Sequence, residues 1–305
     1  VLVNPTYQGY ATDINELVAQ LHLNDLPVLV DEAHGTYFIN KLSADFPKSA
    51  LSAGADLVVN SLHKSAPGLA QSAILWFQGK RVDPIAIERS ISWLQTSSPS
   101  ALLLASCEAS LREITSNLGK RRISKRLKEA YALRKGLQNK GIPLIKNDDP
   151  LRLVIHTAKL GINGFDADKF FISRDIISEL PEPGSITFCL GFAKQRGLAK
   201  KLFSTWKELL SLSKQIDDEK TFSSPPLDLV MLTTIPCASA WRAETENLLL
   251  KEASDRICAE LICPYPPGIP MVIPGERLDC SRLNWLIDQK ALWLDQIPNK
   301  IKVVK

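Results

Sequence analysis

Lys64 ends the apolar run "ADLVVNSLHK" (55–64), with Ser61 and His63 just before it, and a second apolar run, "QSAILWF" (71–77), follows a short turn. Taken out of water, a lysine amine loses part of its proton affinity and becomes a nucleophile able to form a Schiff base with an aldehyde. Upstream, "DEAHG" (31–35) ends another apolar run and supplies Asp31, Ala33 and His34. An acid at the end of one strand and an amine at the end of another could grip opposite sides of one flat ring.

Pyridoxal phosphate is a ring that uses all of these parts. Its pyridine nitrogen needs a carboxylate to stay protonated, so that the ring can accept electrons, and Asp31 suits that role. Ala33 is small enough to pack under the ring, His34 is within reach of the phenolic oxygen, and Ser61 and His63 can hold the phosphate. Taken singly, each has a plainer reading: Asp31 as a helix cap or turn acid, His34 as a surface histidine, Lys64 as a solvated loop residue. Their joint occurrence is what points to a site.

Such side chains converge only if the strands that carry them end together. "VLV" (1–3), "PVLVDEA" (27–33), "ADLVVNSLH" (55–63) and "QSAILWF" (71–77) are short apolar runs, and "DINELVAQLHLND" (13–25) is amphipathic with Asp13 placed to cap it. This alternation predicts a parallel or mixed sheet covered on both faces, with ligands at the carboxyl ends of its strands. From Val82 to about Gly141 the pattern is helical, broken at "TSSPS" (96–100). "LRLVIHTA" (151–158), "GFDADKFFISRDII" (164–177) and "SITFCLGF" (185–192) read as strand, helix and strand. "QIDDEKTFSSPPLD" (215–228) is polar and Pro-rich, a domain boundary, and "TENLLLKEASDRICAEL" (245–261) beyond it reads as a helix.

The 305 residues carry a net charge of +4, with 45% hydrophobic and 23% charged residues, ordinary for a soluble globular chain. The basic stretch "GKRRISKRLKEAYALRKG" (119–136) reads as the solvated face of a long helix rather than a nucleic-acid patch. No run approaches the roughly 18 apolar residues that span a bilayer. Neither membrane nor nucleic acid is therefore expected as a partner, and a cytoplasmic location is. The six cysteines form no CxxC pair and no metal-ligand spacing with the four histidines, so reduced thiols and no metal are expected. The chain starts inside an apolar run with no initiator Met and no leader, which leads to the expectation of a piece of a longer chain.

"NPTYQGYATDI" (4–14), "VDEAHGTYF" (30–38), "AGADLVVNSLHKSAPGLAQSAIL" (53–75), "RVD" (81–83), "LQTSSPSALLLAS" (94–106) and "PYPPGIPMVIPGERL" (264–278) together resemble the Orn/Lys/Arg decarboxylases. These are bacterial fold-type-I PLP enzymes that act on basic amino acids, and the stretches occur in the family's order over nearly the whole chain. The resemblance implies an α/β fold: a PLP-dependent transferase-like (aspartate aminotransferase) large domain with a mainly parallel sheet over 1–140, a small α+β domain over 141–217, and a C-terminal decarboxylase domain over 226–305. It implies pyridoxal 5'-phosphate as cofactor, with Lys64 as the Schiff-base lysine, Asp31 at the pyridine nitrogen, His34 near the ring oxygen, and Ser61 and His63 at the phosphate. Thr96, Ser97 and Ser98 would reach a neighbour's active site across a homodimer or larger homo-oligomer. Glu276 would grip the substrate's distal cation. The plainer readings are a capped helix start and an exposed turn acid. The implied reaction, a lyase step in polyamine biosynthesis, converts lysine, arginine or ornithine to the corresponding amine and CO2.

Two residues depart from the family pattern. Pro67 replaces a small residue and removes a backbone donor, and Ala70 stands where a Thr commonly precedes Gln71. The family's other phosphate loop and the side chain that stacks on the ring belong to a part preceding Val1, so an incomplete site is expected. The rival readings are an aminotransferase or α-oxoamine synthase, which commonly clamp the α-carboxylate with an arginine, and a non-catalytic homologue. No arginine stands out as that clamp, Arg152 and Arg174 being ordinary candidates. Retention of Lys64, Asp31, His34, Ser61 and His63 together argues against lost catalysis.

Overall fold

Apolar runs rich in Val, Leu and Ile give the first four strands of the computed structural model: β1 (Leu2–Val3), β2 (Leu29–Asp31), β3 (Leu57–Ser61) and β4 (Ala73–Phe77), ordered β1–β2–β3–β4. The structure describes the chain except residues 41–45, 194–195, 214–222, 229, 266–267 and 294–295. β1, β2 and β3 run parallel, with Val3 opposite Asp31 and Asp31 opposite Val59. β4 is antiparallel to β3, Ser61 facing Ala73, because the link of residues 62–72 is too short for a crossover.

α1 (Asn15–Leu23) makes the crossover from β1 to β2 and packs Ile14 and Val18 with Val28, Val30, Ala55 and Val58. Each such valine contributes roughly 1.5–3 kcal/mol of burial free energy. Asp13 is not the cap of this helix. Ile14 holds that position, one residue further on, so Asp13 Oδ1 reaches only the first helical amide, of Asn15, at 3.2 Å, while Oδ2 pairs with Lys48.

The single turn α2 (Leu62–Ser65) follows β3. The helical stretch beyond β4 resolves into α3 (Pro84–Leu94), α4 (Ala101–Thr115) and α5 (Asn117–Gln138), capped by Asp83, Ser100 and Ser116. α5 places Ile123, Leu127 and Ala130 in a core with Tyr37, Phe38, Phe46 and Leu151. Its lysines and Arg121 and Arg122 are exposed, the solvated basic face that the pattern predicts, and Arg126 is the buried exception.

The chain divides into two compact units, residues 1–155 with 187–203, and residues 156–186 with 204–305. β5 (Arg152–Ile155), β6 (Leu180–Glu182) and β7 (Ser185–Cys189) form a sheet ordered β5–β7–β6, and α6 (Gly164–Ile172) and α7 (Leu198–Ser213) are the accompanying helices. The sequence pattern did not single out β6.

The second unit also holds α8 (Cys237–Arg242), β8 (Thr245–Leu249), α9 (Cys280–Gln289) and β9 (Lys300–Val304). The helix expected over 245–261 is absent. Thr245–Leu249 is a strand paired antiparallel with β9, and Asp255 at φ +64° lies outside helical space. Pairing with the distant "KIKVV" outweighs the local preference of a Leu-, Glu- and Ala-rich segment, and the burial of Leu250, Ile301 and Val303 in one core fixes it. The boundary expected over 215–228 lies outside the described residues as far as 222, as do Pro266 and Pro267.

Among the described residues no helix is long and apolar enough to cross a membrane, and no cluster of His, Cys, Asp and Glu could hold a metal ion. None of the six cysteines is in a disulfide.

Candidate active site

β2 and β3 are adjacent and parallel, so their carboxyl ends open at the same edge of the sheet. Asp31 is the last residue of β2; β3 ends at Ser61, and α2 carries Lys64 one turn further. The Asp31 carboxylate is exposed, its Oδ1 accepting the Ala33 amide at 3.0 Å, and no ion-pair partner faces it among the described residues. Lys64 likewise has no carboxylate partner among them. The expectation of an amine withdrawn from water is corrected here: Lys64 is exposed, because the buried side of the one-turn α2 is taken by Leu62 and Ser65.

α2 is tied to the "DEAHG" turn through Ser65, whose Oγ donates to Ala33 O at 2.9 Å and lies 2.6 Å from Thr36 Oγ1. The segments bearing Lys64 and Ala33 therefore hold each other in place. Ser61 stands at the N-terminal position of α2, half-buried, with its hydroxyl making no capping bond. His63 is exposed, and its Nδ1 lies 2.9 Å from Ser72 O. A carbonyl only accepts, so Nδ1 carries a proton. The amides of Ala66 and Gly68 both reach Leu62 O, so Pro67 interrupts no bond of this turn. Gln71 takes φ +73°, a conformation rare outside glycine.

His34 is buried, with its ring 4.2 Å from that of Tyr7 and its Nδ1 2.8 Å from Arg152 Nη2. Burial, reinforced by Arg152, Lys64 and His63, holds its pKa down at about 3. Those cations act on one ring, so His34, His63 and Lys64 share an electrostatic neighbourhood. Arg152 in turn lies 3.6 Å from the fully buried Asp149, which also takes the Tyr37 hydroxyl and the Leu151 amide. Gly9, at φ +86°, receives the Asp148 and Asp149 amides on its carbonyl at 3.0 and 2.9 Å. A Cβ there would sit 2.8 Å from Arg152 Cβ, so only glycine lets this loop lie against the arginine.

Sequence reasoning missed Tyr7, Glu32, Tyr37 and Asp149, and gave Arg152 no more than a possible clamp role. One signal was available: an arginine in the continuously buried run "LRLVI" must find a partner. Neither arginine considered as a carboxylate clamp is uncommitted. Arg152 is engaged with His34 and Asp149, and Arg174 binds both carboxylate oxygens of Glu208.

Thr96, Ser97 and Ser98 are exposed, the Ser98 amide lying 3.1 Å from Thr96 Oγ1, and Ser100 caps α4. Glu276 is buried, so it is not an exposed turn acid. Its Oε2 lies 2.6 Å from Arg282 Nη1 and takes the Ile273 amide at 3.2 Å, which neutralises the carboxylate within its own unit. A cavity of about 630 Å³ beside α4 and α5, lined by residues including Pro67, Arg122, Arg126 and Phe192, touches none of Asp31, His34 or Lys64.

The donor set fits pyridoxal phosphate. A carboxylate and an amine, both without a counter-charge among the described residues, stand at neighbouring strand ends, and the turn after the carboxylate carries a small residue and a neutral imidazole. A ring with a cationic nitrogen would pair with the carboxylate, and its aldehyde would condense with the unprotonated amine, releasing water.

The major-domain profile of Orn/Lys/Arg decarboxylase matches residues 1–157, and the C-terminal-domain profile matches 217–289. The chain is 33% identical over 298 residues to an arginine decarboxylase of Bacillus subtilis (strain 168), covering 94% of this chain and 60% of that one. It is 31% identical over 305 residues to the uncharacterized protein YaaO of the same organism, covering 95% and 62%. The Escherichia coli constitutive lysine decarboxylase structure superposes with a TM-score of 0.77 at 18% identity, over 100% of this chain and 58% of that one. A Sphingomonas wittichii serine palmitoyltransferase superposes with a TM-score of 0.55 at 16% identity, over 71% and 56%. These structural likenesses are of fold, the fold-type-I α/β arrangement with its mainly parallel sheet. The chain spans about 60% of the length of the curated relatives it matches. With the major-domain profile covering more than half of its residues, the chain belongs to the Orn/Lys/Arg decarboxylase family.

Proposed function

We propose that this chain forms part of a pyridoxal phosphate-dependent decarboxylase that converts a basic L-amino acid to its amine and CO2. The observation that carries the reading is the pairing of positions: Asp31 and Lys64, opposite charges without counter-ions, at the carboxyl ends of adjacent parallel strands. When bound, the cofactor supplies the electron sink that accepts the pair left by the departing carboxylate.

The chain's own residues bind and orient. Lys64 Nζ is the anchoring amine. Asp31 keeps the pyridine nitrogen protonated, a charge placed before the reaction begins. Ala33 leaves room for the ring, and His34 lies beside the ring oxygen. Ser61 donates its uncommitted hydroxyl to the phosphate, and His63 stands beside it. Thr96–Ser98 serve the neighbouring subunit of a homodimer. The commitment of Arg152 and Arg174 to internal partners favours decarboxylation over reactions that clamp the α-carboxylate with arginine.

The test offers arginine, lysine and ornithine in turn to the full-length protein with added pyridoxal phosphate. Arginine comes first, given the relative at 33% identity. Release of CO2 with agmatine, cadaverine or putrescine is the expected result. A 2-oxo acid product would point to transamination instead, and failure to bind the cofactor would leave a non-catalytic homologue.

A further inference from the structure

Behind the "DEAHG" turn, two pairs of residues spaced three apart interlock. His34 and Tyr37 come from one turn, Asp149 and Arg152 from the segment entering β5. The Tyr37 hydroxyl donates to Asp149 Oδ2, Arg152 Nε lies 3.6 Å from the same oxygen, and Arg152 Nη2 lies 2.8 Å from His34 Nδ1. Arg152 Nη1 contacts Cys189 Sγ, so the guanidinium is held from several sides. Arg152 is 3% exposed and His34 7%.

A guanidinium has donors and no acceptor. His34 Nδ1 must therefore accept, and the single proton of the neutral ring sits on Nε2. A second proton would set N–H against N–H at 2.8 Å. It would also add a positive charge to a ring that already faces Arg152, His63 and Lys64, with the Tyr7 ring packed on it at 4.2 Å.

We propose that Arg152 is a positioning residue that fixes His34 as its neutral Nε2–H tautomer, giving the site a hydrogen-bond donor that keeps its proton. The acceptor class is an anionic oxygen, such as the cofactor's phenolate or a substrate carboxylate; this use rests on the proposed function, whereas the tautomer follows from the chain itself. The group that protonates the product carbon is then not His34.

The test is nitrogen-15 histidine spectroscopy of the full-length protein, with His34 assigned by His34→Gln. The expected spectrum shows His34 protonated at Nε2 only and unchanged from about pH 5 to 8, a range well above its depressed titration. Arg152→Gln keeps a donor, so the tautomer persists while the titration midpoint rises. Arg152→Met removes donor and charge, so both tautomers appear and the midpoint rises, while burial still holds it below 6.5. A proton on Nδ1 in the unaltered protein, or titration of His34 inside that range, would overturn the proposal. So would an Arg152→Met spectrum identical to the parent. The parent measurement stands even if Arg152→Met does not fold. Absence of cofactor binding alongside the expected spectrum would remove the proposed function and leave this inference intact.

Discussion

Asp31 and Glu32 are consecutive carboxylates with opposite surroundings. Asp31 is exposed at the end of β2, whereas Glu32 is 2% exposed, with Oε1 2.7 Å from the Ala50 amide and Oε2 3.3 Å from Asn60 Nδ2. Asn60 also donates to Glu32 O at 2.8 Å and accepts the Trp76 indole N–H at 2.8 Å. Alternation along an extended chain sends successive side chains to opposite faces. The sheet therefore shows one acid to the candidate site and keeps the other beneath it, in a polar seam that joins β2, β3 and β4.

Burial pushes the Glu32 carboxyl up to about 7 from 4.5. The folded state thus holds a proton that the unfolded chain releases. Between about pH 4.5 and 7 the unfolded state binds fewer protons, so stability falls as pH rises through that window, by about 3 kcal/mol at most. Urea denaturation across these pH values should show the decline, and Glu32→Gln should flatten it. A profile equally steep in the variant would assign the dependence to another group.

Asp31→Ala removes an exposed carboxylate, so the melting temperature should shift little, as surface substitutions usually change stability within about 0.5 kcal/mol. Cofactor binding should persist while turnover falls about 100-fold or more, the scale of losing one preorganised charge. Unchanged turnover would remove its assigned role.

Lys64→Ala should abolish the visible absorbance of the lysine-bound cofactor in the full-length protein, with the fold intact because Lys64 is exposed. A persisting band would refute the anchoring role. Because α2 buries only Leu62 and Ser65, the substitution takes nothing from the core.

The parallel strands and the residues at their ends were legible in the sequence because both depend on local pattern: a short apolar run followed by a polar residue. The shell behind them was not. Arg152 and Asp149 reach His34 and Tyr37 from more than a hundred residues away, and no periodicity encodes that meeting. The strand β8 was hidden for the same reason, since Thr245–Leu249 owes its extended form to β9. Asp13 was misjudged by one position, a shift the apolar spacing leaves open. For Glu276 the sequence leaves two readings open, a grip on the substrate's distal cation and an exposed turn acid; its burial comes from Arg282, on a helix that pattern alone does not bring to it.

That last pair separates a structural from a recognition role. Glu276 and Arg282 are both buried, and Arg282 keeps Asp279 as a second partner. Glu276→Ala leaves the guanidinium half-compensated, so the loss of stability should lie near the lower end of the roughly 3–5 kcal/mol that follows breaking a buried ion pair. The β8–β9 amides, next to the same core, should then exchange hydrogen faster. Replacing both partners, Glu276→Leu with Arg282→Met, should recover much of the loss, since no charge is left buried alone. If instead Glu276→Ala leaves denaturation unchanged and raises KM for the basic amino acid, the carboxylate serves the substrate, and the ion pair with Arg282 must open when substrate binds.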